Sequence, residues 1–199
     1  MYARAILSFS FVLYCLSWGM LPSAMAQVML HEICADNQSV LVDQDGDYSD
    51  WIELYNQGTT SVDLQGYRIS DQADLADAWV FPSLTLPPKA YLLVFASDKD
   101  RQSGELHSDF RIAKEGEKLF LWDRQGNQLD EMVTPELEPD VSVGRKESQL
   151  DEWFYLFVPS PGQANTGASL AVPQLPQLLP SDFFHEAPLS IELICEQAG

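Results

Sequence analysis

Positive charge is scarce in this chain. Lysine and arginine together number 11 against 30 aspartates and glutamates, a formal charge of −19 over 199 residues. Such an acid excess repels phosphate backbones and excludes nucleic acid as the expected partner. Cysteine is also rare, limited to Cys15, Cys34 and Cys195. Two lone cysteines beyond residue 26 and three scattered histidines fall short of a structural zinc ligand set. In an exported protein Cys34 and Cys195 can pair, although their spacing says nothing about geometry. Beyond residue 26 no apolar run is long enough to cross a bilayer. No stretch of ten or more residues carries a convincing helical period, and "DQADLADA" (71–78) is the best site for a single helical turn. Neither a Gly-x-Ser-x-Gly elbow nor a glycine-rich phosphate loop is found.

What is there begins with a leader. Residues 1–26 run from Arg4 through an apolar stretch to Ala24-Met25-Ala26, the charged, hydrophobic and small-residue order of a signal peptide. Cleavage after Ala26 removes one arginine and takes the charge to −20. Export is therefore expected, to the cell surface, the extracellular space or the periplasm, with no membrane span left after cleavage.

The remainder reads as short strands between turns. "VMLHEICA" (28–35), "WIELYN" (51–56), "VDLQGYRISD" (62–71), "AWVFP" (78–82), "LTLPP" (84–88) and "AYLLVFA" (90–96) come first. In 51–56, Ile52 and Leu54 share one face while Trp51, Glu53 and Tyr55 share the other. "EKLFLWD" and "QLDEMV" flank "RQGN" as a hairpin with Gly126 in its turn, and "VSVGR" and "EWFYLFV" follow. Many short strands with closely spaced turn signals predict an all-β chain folded as an antiparallel β-sandwich. Residues 27–167 form that domain. The proline-punctuated piece 168–180 suits an extended linker, and 181–199 holds one strand-like segment, an incomplete β-piece of a second domain.

The pieces "DGDYSDWIELYNQG", "VDLQGYRISD", "WVFP", "YLLVFASDKD", "LHSDFRIAKEGEKLFLWDRQGNQLD", "SVGR" and "PSPGQANTG" occur in an order that resembles bacterial lamin-tail domains. That resemblance implies an immunoglobulin-like antiparallel β-sandwich serving as a non-enzymatic adhesion or interaction module. It departs at His31, where relatives commonly have asparagine. The tail "PSDFFHEAPLSIELICEQAG" resembles the opening of a small β-domain related to the C-terminal domain of chitobiase.

Four groups of residues carry candidate chemistry. Asp43, Asp45 and Asp47 alternate in "DQDGDYSD" and could converge on calcium. An EF-hand loop from Asp43 would need glycine and glutamate where Tyr48 and Leu54 stand, so a charged turn at Asp45-Gly46 ending at Asp50 is the competing account. Glu53 could be a catalytic acid if buried beside a cleft, or could bond backbone or Arg68. His107, Ser108 and Asp109 are adjacent, but adjacent strand residues point to opposite faces and do not make a triad; His31 and His107 are expected to pack or hydrogen-bond. Trp51, Trp79, Trp122 and Trp153, with Tyr55, Tyr67, Tyr91 and Phe120, make either a sugar platform or a core, and core is the default for such large side chains. The expected function is a secreted, non-catalytic binding or scaffolding module with a protein or polysaccharide partner, without cofactor unless calcium binds. The alternatives are the amino-terminal accessory part of a larger secreted enzyme resembling the spore-coat protein H kinases, or a carbohydrate-binding module.

Overall fold

The computed structural model describes residues 27–167 and 169–172. β1 (Val28–Cys34) and β2 (Asp50–Asn56) come first; β3 (Val62–Asp63) and β4 (Arg68–Ser70) flank Gly66. A single 3-10 turn, Leu75–Asp77, is capped by the Asp74 carboxylate, which accepts the Ala76 N–H. It falls inside the one stretch expected to make a helical turn. β5 (Trp79–Val80), β6 (Thr85–Leu86) and β7 (Tyr91–Ala96) follow. Then come β8 (Leu106–His107), β9 (Lys118–Trp122), β10 (Gln128–Val133), β11 (Ser142–Lys146), β12 (Gln149–Leu156) and β13 (Ser169–Ala171).

Two main layers result. The larger sheet has the order β13-β12-β11-β1-β2-β7-β8 and the smaller the order β10-β9-β4-β5, with a two-stranded β3-β6 ribbon beside them. All pairs are antiparallel except β7 with β8. Leu30, Ile33, Ile52, Leu54, Val94 and Val143 of the large sheet meet Ile69, Trp79, Leu119, Leu121 and Met132 of the small one in a single apolar core. This is the β-sandwich expected from the alternation.

An ion pair clamps the layers. Arg145 on β11 donates to both Asp130 oxygens on β10, at 2.5 and 3.0 Å, and to the Leu30 carbonyl at 3.0 Å. Its guanidinium lies 4.3 Å from the Trp153 ring centroid. Such a bidentate, half-enclosed pair adds orientation as well as energy.

β1 breaks the period-two rule. Val28 and Leu30 face the core, and so do Ile33 and Ala35, which requires one extra residue between the two sets. The pairing with β2 shifts there, between Leu30 and Glu32. This bulge turns His31 and Glu32 together toward the outer face, opposite Glu53. The alternation in β2 is as expected, yet both of its faces are buried. All four candidate tryptophans are buried as well, with Trp51 at 0% and Trp153 at 8% exposure. The sugar-platform reading falls on this point, because indoles packed inside cannot stack on a ligand.

Two elements were not anticipated. β8 is only two residues long, too short to alternate. β13 pairs with β12 along Ser169–Ala171, so the segment expected to be a linker starts as an edge strand. The rest of 168–180, the segment 181–199, the leader and Cys195 lie outside the described residues. Cys34 is a buried free thiol whose pKa burial pushes up to about 12, leaving no thiolate for chemistry.

Gly116 precedes β9 at φ +98°, where a Cβ would sit 2.5 Å from the Thr134 carbonyl oxygen. Both the dihedral and a backbone neighbour oppose any side chain there. Gly116→Ala is expected to destabilise the fold by about 2–3 kcal/mol in urea denaturation, and a neutral result would show that this end of the β9–β10 hairpin yields freely.

Candidate functional site

The aspartates of 43–47 do converge. Asp43 accepts the Asp45 and Asp47 N–H groups at 3.0 Å each, and Gly46 at φ +88° lets the chain turn back. The group they converge on is the Lys99 ammonium, which donates to Asp43 at 2.6 Å and to Asp45 and Asp47 at 2.9 Å. Arg101 adds a second contact to Asp45 at 2.7 Å. Burial opposes ionisation of Asp43, but Lys99, the two N–H groups and the Ser49 hydroxyl outweigh it and hold the carboxyl well below the usual range. The same contacts raise the Lys99 pKa against its desolvation. These three carboxylates therefore fit calcium only if Lys99 leaves.

His107 stands next to this loop, with a ligand nitrogen within 4.8 Å of oxygens from Asp43 and Asp45. It is fully buried, stacks on Phe95, and places Nδ1 2.8 Å from Ser97 Oγ and Nε2 3.3 Å from Arg101 Nη1. Burial and the Arg101 and Lys99 charges lower its pKa, so the ring is neutral near pH 7. A guanidinium can only donate, which leaves Nε2 as acceptor and puts the ring proton on Nδ1. His107 thus donates to Ser97 and cannot serve as its base. Ser108 donates to the Phe110 carbonyl and Asp109 is exposed, so His107, Ser108 and Asp109 form no triad.

A second polar group lies buried on the outer face of the large sheet. His31 Nδ1 meets Glu53 at 2.9 Å and Nε2 meets Glu147 at 3.1 Å, beside the stacked rings of Tyr55 and Tyr91. Tyr91 donates to Glu147 at 2.7 Å. The remaining Glu53 oxygen takes the Gly162 N–H, so Glu53 bonds neither neighbouring backbone nor Arg68. Glu32 accepts the Ser142 hydroxyl and the Ser160 N–H. Asn165 donates to the Arg145 carbonyl and accepts from Ser160. The turn-rich segment 157–167 is therefore strapped over the sheet by two buried glutamates. Burial pushes Glu32 up to about 7 against the hydrogen bonds from Ser142 and Ser160, with Glu53 raising it further and His31 lowering it.

An open cleft of about 340 Å³ adjoins the aspartate loop, walled by Tyr48, Asp50, Ser97, Arg111 and the Asp47–Lys99 pair. Burial pushes the Asp50 pKa up to about 6, against the Asn37 N–H that it accepts.

A family model described as Lamin Tail Domain matches residues 22–136. The chain belongs to the lamin tail domain family. A search of curated proteins found no match. In this lamin tail domain β11, β12 and the strap lie past the matched residues, yet β11 pairs with β1 inside the large sheet. Among the described residues no helix is long and apolar enough to cross a membrane.

Sequence reasoning found the aspartates, both histidines and Glu53, and missed Glu32, Lys99, Arg101, Tyr48 and Arg111. An acid beside His31 inside the mostly apolar "VMLHEICA" was the available signal for Glu32, since a strand covered on both faces carries charge only with a buried partner.

Two outcomes are expected. For Glu32 the folded state holds a proton that the unfolded state has lost between pH 4.5 and about 7, so stability falls as pH rises through that window and levels off above it. The drop is about 3 kcal/mol at most, and Glu32→Gln should remove most of it in urea titrations across pH; an unchanged slope would assign it to other groups. For the loop, calcium and chelator should leave the wild-type melting midpoint unchanged. Lys99→Met should lower that midpoint by about 3–6 °C and make it rise with calcium, and a calcium-insensitive variant would show that the carboxylates do not suit the ion.

Proposed function

We propose that this lamin tail domain is a non-catalytic binding or scaffolding module, exported and working at the cell surface or outside the cell, with a protein or polysaccharide as partner. The carrying observation is that the buried ionisable groups with catalytic potential are consumed by structure. His31 and Glu53 hold each other, Glu53 and Glu32 hold the strap, and His107 donates to the Ser97 hydroxyl beside it. Asp50 is a raised carboxyl at the cleft, and the second carboxylate there, Asp47, shares the Lys99 ammonium with Asp43 and Asp45. Two-acid catalysis needs one protonated group and one free base, and Asp47 is already engaged by Lys99. The leader-like order of residues 1–26 supports export. Calcium is a second-order matter for such a module, since it competes with Lys99.

The test is retention. Labelled full-length chain should bind envelopes and extracellular polysaccharide of the producing cells saturably, and unlabelled chain should displace it. Non-saturable or absent retention, or turnover of model glycosides and esters, would overturn the reading.

A further inference from the structure

The cleft beside the aspartate loop is lined by three polar side chains with bonding capacity to spare, Asp50, Ser97 and Arg111. The sheet register builds it: Asp50 pairs with Ala96 across β2 and β7, and Ser97, the next residue, bridges Arg111. Ser97 is 7% exposed and accepts its hydrogen bond from His107, so its own proton has no acceptor among the described residues. Asp50 receives the Asn37 N–H on Oδ1 at 3.1 Å, and its other oxygen has no donor among them. Arg111 makes no side-chain hydrogen bond or ion pair among them either, although it faces Asp50 electrostatically. Tyr48 closes one wall with half of its surface exposed.

The set is therefore one buried hydroxyl donor, one free carboxyl oxygen, one planar guanidinium and one aromatic face. Arg111 offsets Asp50 at the cleft, while Lys99 and Arg101 together serve Asp43, Asp45 and Asp47, which leaves the neighbourhood one negative charge in excess. A free anion would gain Arg111 but meet Asp50 and the −19 of the whole chain, while a cation would meet Arg111. Sugar hydroxyls donate and accept at once and so use both kinds of group, and the apolar face of a pyranose covers an exposed tyrosine ring. The volume suits one or two rings. We propose that this cleft is a binding site for an uncharged saccharide, with Tyr48 as the stacking platform and Asp50, Ser97 and Arg111 as the hydroxyl-reading groups. It is separate from the buried tryptophans, and it rests on the reading of the chain as a binding module.

Calorimetry of the full chain with cellohexaose, maltohexaose and hexa-N-acetylchitohexaose, and with hexagalacturonate as the anionic comparator, tests it. At least one neutral hexasaccharide should bind with Kd of about 0.1–1 mM and more tightly than the uronate. Arg111→Gln and Tyr48→Ala should each weaken that binding about tenfold without moving the melting midpoint. Both side chains are exposed, so these variants should fold. No binding by any neutral hexasaccharide, tighter binding of the uronate, or wild-type affinity in both variants would overturn the proposal. Saturable envelope retention that survives Arg111→Gln would sink the cleft alone and leave the module standing, whereas wild-type chain that fails envelope retention would sink the module itself.

Discussion

The strand β1 is buried on both faces, and it carries a histidine and a glutamate. A buried carboxylate without partners costs several kcal/mol, so something has to cover and satisfy these groups. The bulge at His31 sets the problem by turning both side chains outward; the Ser160 amide of the strap 157–167 satisfies Glu32, and Glu53 and Glu147 hold His31, with Glu53 itself taking the Gly162 amide. The large sheet of this lamin tail domain is thus held from two sides. Leu30 and Ile33 press it onto the small sheet, while Glu32 and Glu53 bind the strap to its back.

An acidic chain with few cations has to place those cations well. Lys99 gathers three aspartates, Arg101 supports one of them, and Arg145 joins the two sheets through Asp130. Lys99 and Arg101 come from a segment 52 to 56 residues from their acids, while Arg145 reaches Asp130 on the preceding strand, 15 residues away. Carboxylates without a cation find backbone amides instead, as Glu32, Asp123 and Asp140 do. Folding therefore converts much of the negative charge nearest the core into hydrogen-bonded structure, and the rest is left on the surface.

That arrangement also bears on function. His31, Glu32, Glu53 and His107 are held inside hydrogen-bond networks, whereas Asp50 and Arg111 keep free bonding capacity at an open cleft at one end of β2 and β7. Rigid strands position the cleft, and the loop bearing Tyr48 is itself braced by Lys99. This is the distribution expected of recognition on a stable scaffold, with polar readers set at the ends of strands and along loops.

Local residue patterns determined most of the strands. Ile52 and Leu54 alternate against Trp51 and Glu53, Gly126 marks the β9–β10 turn, and Asp74 caps the brief 3-10 turn. They also implied the two-layer class, because short alternating runs have to bury one face against another. Tertiary structure alone decided the rest. β8 and β13 are too short to carry a period of their own and exist through their neighbours' open edges. Lys99 reaches Asp43, and Gly162 reaches Glu53, across separations of 56 and 109 residues. Alternation reports which side of a strand is apolar, but long-range ion pairs and the burial of a second face arise from how strands are brought together, which no local spacing encodes.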